Sequence, residues 1–87
     1  AASNASTLQR VEVRTLAPAL VRLDGTYWDL NAGDSLADLQ QRWSAGDPEM
    51  ERLLAATTVW SGGQRLAPEA TLSAGIVLDL VLALAGG

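Results

Sequence analysis

The 87-residue sequence contains no cysteine and no histidine. Its six basic residues, Arg10, Arg14, Arg22, Arg42, Arg52 and Arg65, are all arginine, so lysine is missing as well. These absences remove the thiolate, imidazole and side-chain amine on which most nucleophilic and acid–base catalysis depends. Self-contained catalysis is therefore not expected. They also leave no disulfide and no cysteine or histidine metal site, so packing alone must hold a core built from a short chain. No metal and no bound cofactor are expected. The longest apolar stretch, Ile76 to Ala85, carries Asp79 and falls far short of the roughly 20 residues that span a bilayer. Basic charge is sparse too: ten acids against six arginines give a formal charge of −4. Nucleic acid and anionic membranes are thus excluded as natural partners, and a basic protein surface is the better expectation.

The N-terminal stretch shows neither the positive charge nor the apolar segment of a secretory signal, and a cysteine-free acidic chain suits a cytoplasmic location. Ser3-Asn4-Ala5 reads as the scar of a cleaved purification tag. Residues 1–7 are accordingly expected to be a disordered N-terminus, 8–85 a single domain and 86–87 a flexible tail.

From Leu8 the pattern alternates. Val11, Val13 and Thr15 fall on one side and Arg10, Glu12 and Arg14 on the other, which predicts a half-buried strand over 9–16. A mixed segment after Pro18 leads to the turn dipeptide Asp24-Gly25. A second strand follows over 26–30, with Trp28 and Leu30 facing opposite to Tyr27 and Asp29. Asp34-Ser35 supplies helix-capping side chains, and Leu36, Leu39 and Trp43 recur at helical spacing, predicting a helix over 35–45 that stops near Gly46. Asp47-Pro48-Glu49 opens a second, short helix whose buried face is Met50, Leu53 and Leu54. Thr57 to Ser61 is β-branched and aromatic and ends at Gly62-Gly63, so it reads as a third strand, with Gln64 to Leu66 a short edge strand. The run Ile76 to Leu84 is apolar on both faces, as a strand at the centre of a sheet should be.

The order strand, strand, helix, short helix, strand, short strand, strand predicts an α+β chain in which a helix packs on one face of a small mixed sheet. If the first two strands form a hairpin and the last lies beside the first, the fold is a β-grasp. One long helix after a hairpin ranks that arrangement above a ferredoxin-like one.

The sequence finishes Leu84-Ala85-Gly86-Gly87. Ahead of that ending come Val11-Glu12-Val13-Arg14, Asp34-Ser35-Leu36-Ala37-Asp38-Leu39, Asp47-Pro48-Glu49-Met50, Gly62-Gly63 and Leu72-Ser73-Ala74-Gly75. In this order, over about residues 8–87, the set resembles the ubiquitin superfamily, and within it the bacterial sulfur carriers of the MoaD/ThiS type. The stretch Leu80 to Leu84 is also similar to the end of ubiquitin, with Ala85 where ubiquitin has arginine and without the proline pair usual in the molybdopterin synthase small subunit. The resemblance implies a non-catalytic carrier. By that resemblance its Gly87 carboxylate would be adenylated with ATP on a ubiquitin-activating-enzyme-like adenylyltransferase and then converted to a thiocarboxylate by a persulfide. The sulfur would pass to a large catalytic subunit, as the resemblance to the molybdopterin synthase small subunit implies, or to another biosynthetic acceptor.

Glycine lacks Cβ, so Gly86-Gly87 could thread a narrow channel into such a partner. Leu82, Leu84 and Ala85 would accompany the tail into it. Tyr27, Trp60, Val77 and Val81 fall on the strand faces opposite the helix and are expected to form a docking face. Two rival readings stay open at this point: a protein modifier joined through Gly87 to a target amine, and a non-covalent ubiquitin-like binding module. Without lysine the chain offers only its α-amino group as an acceptor, which disfavours polymer formation and leaves single conjugation possible. The pairs Asp34/Asp38 and Glu49/Glu51 sit at helix starts, where acids are expected, and are read as caps and not as a metal site.

Overall fold

The computed structural model describes residues 8–83. The alternating run predicted at 9–16 is strand β1, Leu8–Thr15, and the second is β2, Thr26–Asn31. They pair antiparallel, with Val11 opposite Trp28 and Glu12 opposite Tyr27. The mixed segment between them holds a 3-10 helix, Pro18–Leu23, which sequence periodicity did not reveal. It is short, so only two of its residues, Leu20 and Leu23, are buried, and two apolar positions cannot establish a period.

Helix α1 covers Leu36–Trp43 and α2 covers Pro48–Ala55, so the two helices are equal in length. Both starts are fixed by their side chains. Ser35 Oγ accepts the Asp38 backbone N–H at 3.2 Å while the Asp38 carboxylate accepts the Ser35 N–H at 2.9 Å, a reciprocal capping box. Asp47 Oδ1 accepts both the Glu49 and Met50 N–H groups at 3.1 Å, with Pro48 at the first helical position. The first helix ends at Trp43, two residues before the predicted 45. The chain then turns through Ser44–Gly46, where Gly46 takes a positive φ that L side chains rarely adopt.

Strand β3 is Thr57–Ser61, as the β-branched run predicts, and β4 is the two-residue Gln64–Arg65. Between them Gly62 and Gly63 have φ of +59° and +80°, the backbone of a two-residue hairpin turn that favours glycine at both positions. Strand β5 is Val77–Leu82, shorter than the predicted 76–84 by Ile76 at its start and Ala83 at its end. Leu84 lies outside the described residues.

The sheet order is β2-β1-β5-β3-β4. The last strand lies at its centre, parallel to β1 and antiparallel to β3. This is the β-grasp arrangement, and β5 occupies the central position that its two apolar faces predicted. The helices cover one face. Val11, Val13, Leu30, Val59, Leu78 and Leu80 point into the core from the strands, and Leu36, Leu39, Trp43, Met50 and Leu54 meet them from the helices. Leu53 and Trp28, expected in that core, are half-buried at its margin. Trp28 meets Trp43 edge to face at 6.4 Å, and the Arg42 guanidinium lies 5.4 Å above Trp28 while donating to the Asp29 carbonyl. The aromatic margin thereby also occupies an acceptor of the edge strand β2.

Candidate functional site

The register fixes which side chains share the face left open by the helices. Tyr27 stands opposite Glu12 and Glu12 opposite Val77; Arg14 stands opposite Asp79, Asp79 opposite Trp60 and Trp60 opposite Arg65; Thr58 stands opposite Val81. All four residues expected on a docking face, Tyr27, Trp60, Val77 and Val81, therefore lie on this one surface. Tyr27 and Val81 are exposed, at 59% and 50%, whereas Trp60 and Val77 are half-buried. The Trp60 ring is anchored, its Nε1 donating to Thr58 Oγ1 at 2.9 Å.

The open face is electrically balanced. Arg10 donates to Asp29 at 3.1 Å and Arg14 to Glu12 at 2.8 Å, and Asp79 and Arg65 complete a set of three cations and three anions. The hydrogen bond that Arg14 donates to Glu12, together with the negative charge of that carboxylate, raises the Arg14 pKa. The chain's whole formal charge of −4 accordingly resides on the helix side and its loops. A basic partner is thus what the helix side would attract. The open sheet face calls for apolar contact with both signs of charge at its edges.

At the end of the sheet where β1 and β5 finish, the surface forms an open groove of about 650 Å³ lined by Arg14, Thr15, Leu16, Asp79, Val81 and Leu82 among others. Sequence reasoning missed its most exposed member. Leu16 follows β1 with a relative exposure of 101%, yet the backbone on both sides of it is fastened. Thr15 N–H donates to Asp24 Oδ1 at 3.0 Å, Ala17 N–H donates to Thr15 Oγ1 at 3.0 Å, and that hydroxyl donates to the Leu80 carbonyl at 3.0 Å. A leucine held in water on a clamped backbone is presented for burial; covering one fully is worth about 1.5–3 kcal/mol. The strand period predicted only that Leu16 ends the run. The Asp24-Thr15-Leu80 bonds that hold it span distant positions and leave no local signal.

Leu82, expected to accompany the tail, is the last residue of β5. It belongs to the helix-side face with Leu78 and Leu80, is half-buried against the core and also lines the groove. Leu84, Ala85, Gly86 and Gly87 lie outside the described residues. Among the described residues no group of three or more acidic side chains could hold a metal ion. Asp38 belongs to the capping box of α1, whereas Asp34, expected as a cap, precedes the Ser35 cap and closes the turn after β2, its Oδ2 accepting the Asn31 N–H at 3.0 Å. No helix among them is long and apolar enough to cross a membrane.

A five-stranded mixed sheet in this order, with helices on one face, defines a ubiquitin-like β-grasp protein. Solved structures with the same fold bear this out. SAMP1 from Haloferax volcanii superposes with a TM-score of 0.70 at 18% identity, over 90% of this chain and 99% of that one. A Pyrococcus furiosus protein named "Putative molybdopterin converting factor, subunit 1" superposes with a TM-score of 0.71 at 16% identity, over 87% and 99%. The ubiquitin of Caldiarchaeum subterraneum reaches 0.58 at 15% identity, over 92% and 99%. No family model matches the sequence, and no curated protein does.

Proposed function

We propose that this chain is a ubiquitin-like sulfur carrier whose Gly87 carboxylate is the reacting group. The observation that carries the reading is the coincidence of two features. The central strand β5 ends at Leu82, five residues before a Gly86-Gly87 ending, and the fold around it is shared by SAMP1 and the Pyrococcus furiosus protein. Extended, those five residues reach about 17 Å. An enzyme that works on Gly87 therefore meets the groove of Leu16 and Val81 first, at the end of the sheet from which β5 leaves. Val77, at the start of β5, and Tyr27 of β2, both opposite Glu12, lie another strand length away.

The chemistry is supplied by the partner and its ATP. A Gly87 carboxylate oxygen attacks the α-phosphorus, pyrophosphate leaves, and an acyl-adenylate forms. A persulfide on the partner attacks the carbonyl carbon, AMP leaves, and a thiol reductant cleaves the resulting S–S bond to release the thiocarboxylate. The carrier contributes a carboxylate, reach and a docking face, and acts as co-substrate and not as catalyst. A biosynthetic acceptor, of which a molybdopterin precursor on a large synthase subunit is the first to test, would then take the sulfur.

Incubating the chain with an adenylyltransferase of this class, ATP and a sulfur donor tests the proposal by mass. One oxygen replaced by sulfur is expected in the full chain and in Leu16→Ala at reduced rate, and not in a chain lacking Gly86-Gly87. A second reading, a modifier joined through Gly87 to a target amine, is favoured by the ubiquitin of Caldiarchaeum subterraneum among the structural neighbours. It predicts amide-linked conjugates in place of the sulfur-bearing species. A binding module would keep its partner after the glycines are deleted.

A further inference from the structure

The cations of this chain share a property that the fold does not demand of all of them. At four positions the cation is engaged, and at three of them, Arg10, Arg14 and Arg42, the contact is one that lysine could not copy. Arg10 and Arg14 reach their carboxylates through Nε, an atom lysine does not have, at 3.1 and 2.8 Å. Arg22 extends a terminal guanidinium nitrogen to Asp47 at 2.9 Å. Arg42 lays its planar group over Trp28 and donates to the Asp29 carbonyl. The other two, Arg52 and Arg65, are exposed and make no ion pair or side-chain hydrogen bond among the described residues. Packing and pairing would accept lysine at both. What unites all six is charge without nucleophilicity, because a guanidinium keeps its proton in water at any physiological pH whereas an ammonium releases a free amine.

We infer that the surface is built to spare an activated Gly87, so that no side chain of one copy consumes the activated end of another. The inference rests on the reading of Gly87 as the activated group. In the reaction avoided, an amine lone pair attacks the Gly87 carbonyl carbon, the bond to AMP or to a thiol breaks, the leaving group departs with its electron pair, and water takes the ammonium proton. With no lysine, cysteine or histidine in these 87 residues, the strong nucleophiles reduce to the α-amino group. The activated carbonyl survives until a partner brings its own persulfide or amine. Conjugation, where it occurs, can then extend only through the α-amino group.

The test needs no partner enzyme, so its failure is separate from failure of the carrier reading. The full chain is prepared with Gly87 as a thioester of a small thiol and its α-amino group is acetylated, a clean reaction in a chain with no other amine. It is then held at pH 9 beside Arg52→Lys and Arg65→Lys, each thioesterified on Gly87 and acetylated before activation only at the α-amine. Circular dichroism confirms that both variants fold. The acetylated parent chain should give hydrolysed free acid alone, whereas the lysine variants should accumulate amide-linked dimers or rings at about tenfold or more above it by mass spectrometry. Amide or ester-linked dimers in the acetylated parent would overturn the inference. So would lysine variants that yield no more linked product than the parent.

Discussion

The two faces of the sheet follow opposite rules. On the helix side, Val11, Val13, Leu39 and Leu78 are wholly removed from water and carry no charge. On the open side, the same strands carry Arg10, Glu12 and Arg14 with Asp79 and Val81, and Arg10 pairs with Asp29 across the register while Arg14 pairs with Glu12 along β1. The difference separates the face that holds the fold from the face that the fold leaves exposed. One face of β5 holds the protein together, and the other, with the Leu16 corner, is available to a partner without cost to folding.

That contrast is broken most severely from inside. Leu78→Ala removes a fully buried side chain from the central strand and should destabilise the chain by about 2–5 kcal/mol in urea unfolding. A similar loss from Val81→Ala, half exposed on the opposite face, would mean that the two faces are not energetically distinct. Next comes the turn that sets the β3–β4 hairpin: Gly62→Val places a β-branched side chain at φ +59° and should cost about 1–2 kcal/mol, read from the same unfolding curves.

A smaller effect sharpens the account of the helix side. The Ser35 backbone N–H and hydroxyl hold the Asp38 carboxyl below its ordinary range, and the Met50 N–H, with Arg22, does the same for Asp47. A carboxylate whose pKa is lower folded than unfolded contributes stability above its unfolded value near 4 and loses it as pH falls through the folded value. Stability should therefore be flat from pH 7 to 5 and decline below about pH 4. Asp47→Asn keeps a capping oxygen, so it should fold well at pH 7 and lose less on acidification. The smallest effect expected is that of Leu16→Ala on stability, within about 0.5 kcal/mol, although the same change should slow processing of Gly87. A large loss of stability would show that Leu16 serves the fold and not a partner.

Much of this architecture was legible in the sequence because its signals are local. Alternation in β1 and β5, the Ser35 and Asp47 caps and the Gly62-Gly63 turn each act within a few residues, and their elements form where predicted. The 3-10 helix at Pro18–Leu23 was not legible, since its six residues bury only Leu20 and Leu23, too few to show a period. The placement of Tyr27, Trp60, Val77 and Val81 on one face followed from strand phase, whereas the clamp on Leu16 joins Thr15 to Asp24 and Leu80 and exists only once the strands have met. The balance of charge on the open face was hidden for the same reason. Composition gives the total of −4, and only the register divides it between the two sides.

The central claim, that Gly87 is a reacting end that carries sulfur, is tested most directly by intact mass spectrometry of the untagged protein isolated from its native host. The account predicts a population of the chain ending at Gly87 in which one oxygen is replaced by sulfur, abolished when Gly87 is removed. Protein found only as the free acid together with high-mass conjugates bearing its terminal glycines would contradict it and make the chain a modifier.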